Sequence, residues 1–431
     1  MSEQPRSARP KLYPRLTLLT TGLFLVGTQA FVIAGLLPEI AQDLGVGESD
    51  VSYSITYLSL VAAVAAPVIS ISAARMSRTT LMSLGLLFIG VGTVLSGVAP
   101  NIGLFIAGRI IAGIGGGAIV PAATAAAAAI APPENRGRAI AFVALGFTAA
   151  TAVGAPLGTV LGDVGGWRLP MLLVAGLALV LSLAQAIFLR GIPISPPTRF
   201  AERLTPLKDV RVMLTLLATV FVFIGFNVLY TFSSAVTEDV TDGSGTLLAV
   251  LLFVFGVTGV LGTLVSGRLT DRFGSRTIGV AFLAGTAVVL SGMVLGAQSF
   301  FVTAVIFAVW GVASFGASLP IQHRLSSIDP PTAPIALSWY TTAMFGGIAL
   351  GPVLGAVMLD IGSAVLIPFA GAAANVVALL VFLGGFRRRR TSRGVADGVD
   401  GGVRLAPAPD VRESAGASAD RGGSRATQPG S

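Results

Sequence analysis

The sequence predicts an all-α integral membrane protein with twelve transmembrane helices in two pseudo-symmetric six-helix halves. Composition is the first observation behind this. Of the 431 residues, 11% are charged and 54% hydrophobic, against a usual charged fraction of about 25%, and mean hydropathy is +0.85. Spacing is the second: apolar runs long enough to cross a hydrocarbon core, roughly 20 residues each, recur along the chain with short polar breaks between them. The third is an internal echo. Gly154-Ala155-Pro156-Leu157-Gly158 is answered by Gly351-Pro352-Val353-Leu354-Gly355, an offset of 197 from Gly154 to Gly351, and at that offset the polar break holding Asp271 and Arg272 falls on the break at Ala74 and Arg75. Such a repeat builds membrane proteins from two related bundles.

Taken in order, the spans centre on residues 16–38, 51–72, 80–99, 102–130, 138–162, 168–189, 211–234, 246–266, 277–297, 299–321, 334–359 and 363–385. The first lacks a small-residue cleavage pattern and is too long for a signal-peptide core, so it reads as retained. Residues 1–15 form an N-terminal segment, 16–189 the first half and 211–386 the second. Between the halves, residues 190–210 make the only sizeable linker, rich in proline (Pro193, Pro196, Pro197, Pro206). Residues 387–431 hold almost no large apolar side chain, which predicts a disordered tail.

Charge sets the orientation. Arg6, Arg9, Lys11, Arg15, Arg75, Arg78, Arg136, Arg138, Arg268, Arg272, Arg276 and Arg324 fall on one side of the predicted membrane. The other side holds Arg168 and the acids Glu39, Asp43, Glu48, Asp50, Asp163, Glu238, Asp239, Asp242 and Asp360. Basic residues gather in cytoplasmic loops, so both termini are expected inside, in the cytoplasmic membrane of a bacterium. The net charge of +8 is spread along membrane edges, which argues against nucleic acid as partner. With no cysteine and a single histidine, His323 at the inner end of the tenth span, neither disulfides nor a metal site is expected. No cofactor is implied. A polytopic membrane enzyme would need acid clusters, metal ligands or a Ser/His/Lys constellation at a membrane edge, and none is evident.

The break after the eighth span reads Gly267-Arg268-Leu269-Thr270-Asp271-Arg272-Phe273-Gly274-Ser275-Arg276; the fourth span carries Arg109-Ile110-Ile111-Ala112-Gly113-Ile114-Gly115; and the fifth carries Gly146, Gly154, Pro156 and Gly158. These resemble, in turn, the G-x-x-x-D-R-x-G-x-R loop, the R-x-x-x-G-x-G signature and the Gly-Pro exporter signature of the major facilitator superfamily, and the resemblance covers residues 12 to 386. Within it, the first span resembles the twelve-helix sugar-efflux and chloramphenicol-resistance type. The resemblance implies a monomeric exporter of a small molecule, coupled to protons. It also implies that Asp271 braces an inner gate against the start of the eleventh span, with Gly267, Arg272, Gly274, Arg276 and the degenerate first copy at Arg75 and Arg78. The bland alternative is a basic topogenic loop.

An arginine inside a span costs about 2.5–3.5 kcal/mol on insertion scales, so Arg109 should face a cavity or a partner, or else snorkel to the edge. Pro156 removes a backbone hydrogen bond and permits a bend, while the glycines let helices approach closely. Gln29, Asn227, Tyr230 and Trp310 are the remaining intramembrane polar candidates. They lie on spans one, seven, seven and ten, which with span four line the central cavity in the family; each is otherwise interhelical glue. One departure concerns coupling. Where many relatives of this type carry an acid, this chain has Ala30, and no Asp or Glu lies deep in a predicted span, leaving Glu39, Asp43 and Asp163 near the outer ends as proton carriers. The expected cargo is neutral or amphipathic, a drug or antibiotic. The alternatives are a sugar, nucleoside or other metabolite exporter, and an uncoupled facilitator.

Overall fold

A computed structural model describes residues 12–72, 76–189, 191–192 and 200–386. Arg75, the first eleven residues, most of the proline-rich linker and the tail beyond Phe386 lie outside the described residues. Among the described residues the chain is helical throughout. Eleven helices are long and apolar enough to cross a membrane: Leu12–Leu44, Glu48–Ile69, Arg78–Gly97, Ile102–Ile130, Arg136–Gly165, Arg168–Phe188, Val210–Thr241, Gly245–Phe273, Phe300–Ile328, Pro330–Asp360 and Leu366–Gly384. A shorter apolar helix, Ser275–Ser291, stands in the ninth place, and these twelve are numbered here as spans 1 to 12. Span 9 ends earlier than expected because the chain passes into a 3-10 turn at Met293–Gln298. Several helices start on side-chain caps: Ser77 accepts from Thr80 N, Asn101 from Leu104 N and Ser244 from Leu247 N. Each satisfies one backbone donor that the helix itself leaves open.

The repeat is visible in the packing. Spans 1 and 5, 2 and 4, 3 and 6 pair in the first half; spans 7 and 11, 8 and 10, 9 and 12 pair in the second. Small residues make the closest of these contacts. On span 5, Gly146, Gly154, Gly158 and Gly162 face Thr20, Thr28, Val32 and Leu36 of span 1 at intervals of eight, four and four residues, so closely that a methyl at any of them would collide. Gly347, Gly351 and Gly355 of span 11 meet Phe223, Asn227 and Phe232 of span 7 in the same manner. Without a hydrophobic drive between helices in lipid, such close backbone approach is the main source of packing energy. Span 5 also carries a π-helical segment at Ala150–Gly154, immediately before Pro156. The missing proline N–H accounts for the irregular hydrogen bonding there.

Between the halves, spans 2 and 11 and spans 5 and 8 are the partners. The two ends of the bundle differ. One end carries the loops with Glu48, Asp163, Asp242 and Asp360, and the other those with Arg78, Arg136, Arg272 and Arg276; they are called the acidic and basic ends below. From the acidic end to mid-depth a single apolar core takes in residues of both halves, including Phe31, Ile55, Tyr230, Phe255 and Trp310. Toward the basic end the core divides. One cluster is built from first-half residues such as Leu19, Met82 and Val143, the other from second-half residues such as Val212, Leu283 and Ile321.

Candidate functional site: the central polar pair and aromatic cluster

Span 1 brings two different faces to the centre of the protein. Gln29 points at span 4, where Arg109 is 0% exposed. Arg109 Nη1 donates to the backbone carbonyl of Gln29 at 2.8 Å and to its side-chain Oε1 at 3.1 Å. Nε and Nη2 of Arg109 and Nε2 of Gln29 are buried without a hydrogen-bond partner. Burying a cation is tolerable only with partners, so Arg109 is neither paired with an acid nor snorkelling; it is held by an amide and keeps donors in reserve.

The second face begins at Phe31, whose ring meets Phe226 at 5.9 Å and Tyr230 at 5.4 Å across the boundary between halves, and Phe147 of span 5 at 5.6 Å. Behind these lie Phe255, stacked 5.7 Å from Phe226, and Trp310, 4.2 Å from Phe255. Phe315 and Phe307 extend the cluster. Tyr230 Oη and Trp310 Nε1 are both buried with no acceptor. Aromatic pairs in this geometry contribute about 0.5–1.5 kcal/mol each beyond area burial. The ring cluster therefore carries π faces with a hydroxyl and an indole donor, while the amide and guanidinium donors lie on the other face of span 1.

Gln29, Arg109, Tyr230 and Trp310 are thus brought to the centre. Asn227 is not placed alongside them: its Cβ packs on Gly351 and its Nδ2 donates back to Phe223 O at 3.2 Å, an interhelical packing position. The acids sit at the acidic end. Asp43 accepts from Arg168 Nη1 at 2.6 Å and from Trp167 Nε1 at 3.2 Å. Asp163 accepts from the backbone N and Oγ1 of Thr246 at 3.0 and 2.7 Å, and Glu39 is half-buried beside the Gly162 turn. A carboxylate at a helix N-terminus gains about 0.3–1 kcal/mol, which is the position Asp163 occupies on span 8.

At the basic end the loop stands apart from its expected partner. Asp271 is exposed and makes no hydrogen bond or ion pair among the described residues, while the start of span 11 is tied to Asp329 through Thr332 Oγ1 at 2.7 Å. The Arg272 guanidinium lies over Phe273, Arg276 near Phe386, and Gly267 touches Leu319. Arg78 donates to Ala125 O of span 4. Sequence reasoning named Tyr230 and Trp310 but missed the phenylalanines around them, because single phenylalanines in apolar runs carry no distinguishing pattern.

The pattern described as Major Facilitator Superfamily matches residues 19–334 and 215–417. The chain belongs to the major facilitator superfamily. It is 31% identical to the MFS-type transporter YbcL of Bacillus subtilis (strain 168) over 372 residues, 86% of this chain and 95% of the relative. It is 30% identical to the chloramphenicol resistance protein of Streptomyces lividans, covering 89% of this chain and 98% of that one. With the chloramphenicol efflux pump of Mycobacterium tuberculosis (strain ATCC 25618 / H37Rv) identity is 26%, over 81% and 87% of the two chains. Among solved structures, a bacterial homologue of the human lysosomal transporter Spinster, inward-facing and unoccupied, superposes with a TM-score of 0.64 at 18% identity, covering 88% of this chain and 96% of that one. The fold and the family are those of a multi-pass membrane transporter, and the twelve-helix expectation stands.

Proposed function

We propose that the protein exports a small neutral or amphipathic compound, of the drug or antibiotic kind, by alternating access to a central site. The observation that carries this reading is the junction at Phe31, where an aromatic wall of the second half meets the first half beside buried donors that have no acceptor. Relatives described as chloramphenicol efflux and resistance proteins support the direction and the class of cargo.

The basic end faces the cytoplasm of a bacterial inner membrane, following the distribution of arginine, and both termini lie on that side. An undivided core at the acidic end and a divided one at the basic end then correspond to an inward-facing state. In that state the Asp271 loop waits for its partner, and the brace forms when the basic end closes. Proton antiport supplies the drive: one charge crossing about 100 mV yields about 2.3 kcal/mol, roughly a 50-fold gradient at 1.4 kcal/mol per tenfold step. Of the three candidate carriers, Asp43 and Asp163 already hold partners, whereas Glu39 makes no hydrogen bond among the described residues. Downhill facilitated export is the second reading, favoured by the apolar Ala30.

The test is accumulation of labelled compounds, across an antibiotic panel, in cells with and without the protein. Lower accumulation of at least one compound is expected; equal accumulation of all would refute export. In vesicles with an imposed pH gradient, uphill movement that a protonophore collapses supports antiport. Equilibration regardless of the gradient supports the facilitator.

A further inference from the structure

Among the described residues two hydrogen-bonded contacts join the halves at the acidic end, and they are images of each other in the repeat. Asp163, in the last turn of span 5, accepts from Thr246, the second residue of the helix Gly245–Phe273. Asp360, the last residue of span 11, accepts from Ser49 Oγ at 2.8 Å, and Ser49 is the second residue of the helix Glu48–Ser72. Asp163 maps to Asp360, and Ser49 to Thr246, at the same offset of 197 that relates Gly154 to Gly351. In each pair a carboxylate at the C-terminal end of one helix, where its own helix dipole is unfavourable, reaches the N-terminal turn of a helix from the other half, where the dipole favours it. Below the second latch, Thr56 Oγ1 of span 2 donates to Ala349 O of span 11 at 2.8 Å.

We infer that Asp163–Thr246 and Asp360–Ser49 are paired latches that close the acidic end of the protein and must both part when that end opens. The inference rests on the alternating-access reading. It assigns to Asp163 a gating contact in place of free proton carriage, and gives Asp360, Ser49 and Thr246 roles in transport.

The chain has no cysteine, so a single introduced thiol is a unique reporter. Ala349 is 2% exposed and lies deeper than the latch, and Ala349→Cys keeps the backbone carbonyl that Thr56 uses. The rate at which an impermeant maleimide labels the Ala349→Cys reporter from the acidic side measures how often that end opens. Asp163→Ala and Asp360→Ala should each raise it about tenfold, and together about a hundredfold, because each tenfold is about 1.4 kcal/mol and well-separated contacts add. Asp163→Asn, which keeps an acceptor oxygen but not the charge, should fall between wild type and Asp163→Ala. A merely structural role would not produce that order.

A labelling rate unchanged in the folded double variant overturns the latches, and a rise confined to one pair overturns their pairing. Should the alanine variants not fold, Ser49→Cys/Asp360→Cys supplies the test. Oxidation should stop acidic-side maleimide labelling at position 349 when Ala349→Cys is added to that pair, and reductant should restore it; labelling at position 349 that continues after oxidation overturns the proposal. These readouts need no known cargo, so a protein that exports nothing in the panel but whose labelling responds as stated refutes the export reading and leaves the latches standing.

Discussion

The two halves of the molecule share their scaffold and differ at their centre. Positions 150, 154 and 158 of span 5 and 347, 351 and 355 of span 11 are all small, and both series make the close contacts that hold a half together. At the centre the correspondence fails. Gln29 maps to Phe226 and Arg109 to Ile306, while Trp310 maps to Gly113, Phe255 to Leu58 and Tyr230 to Ile33. The polar pair lies in the first half, and all the rings of the cluster except Phe31 and Phe147 lie in the second. Packing constrains both halves equally, because any side chain added at a helix crossing meets backbone or side-chain atoms. The centre is packed as tightly, but by side chains that differ between the halves, a cation and amide in one and mostly aromatic rings in the other.

The largest expected effect comes from making the centre symmetric. Arg109→Ile installs the residue of the other half and removes a buried cation that costs about 2.5–3.5 kcal/mol to insert. Export should fall by roughly 100-fold or more while abundance holds or rises, as read by resistance in cells alongside a membrane immunoblot. Retained export would make Arg109 a packing residue. Arg109→Lys separates the remaining roles: a point-charge role survives it, and a role that needs the planar guanidinium, including the reserve donors Nε and Nη2, does not.

Next is the shared scaffold. Gly154→Val and Gly351→Val each force a branched side chain against Thr28 or Asn227, a collision that should cost about 1–3 kcal/mol. Thermal unfolding of the detergent-solubilised protein should show similar losses for the two. A large loss at one and none at the other would break the claim that the halves are packed alike.

Smaller still is Tyr230→Phe, which deletes one donor and leaves the ring stack in place. Binding of an exported compound should weaken by about tenfold, the scale of one hydrogen bond of about 1.4 kcal/mol, with abundance unchanged. Unaltered binding would mean that the hydroxyl does not meet the cargo. Least marked in the state described is Asp271→Asn, since Asp271 has no partner here. It should leave folding intact yet slow transport, through the closed-basic-end state it is proposed to brace. A wild-type transport rate would reduce the loop to a topology signal.

Much of this was legible in the sequence for physical reasons. Lipid demands long apolar helices, so the spans announced themselves, and the glycine series survived because close packing tolerates little else. Arg109 was readable as a buried charge in need of a partner. Its partner was not: Gln29 was recognisable as polar and intramembrane, but only helix rotation decides that it faces span 4 while Phe31 faces span 7. The acidic-end contacts were hidden differently. Ser49 and Thr246 at helix starts look like ordinary helix-end residues, and the signal that could have found them was the offset of 197 applied to Asp163 and Asp360.

The central claim is that solute moves through a site assembled from unlike halves. Purified wild-type protein and Arg109→Ala, reconstituted in equal amounts into vesicles, are compared for flux of a labelled compound identified in the accumulation screen. The account predicts protein-dependent flux with the wild type and flux no greater than protein-free vesicles with Arg109→Ala; equal flux through both would contradict it.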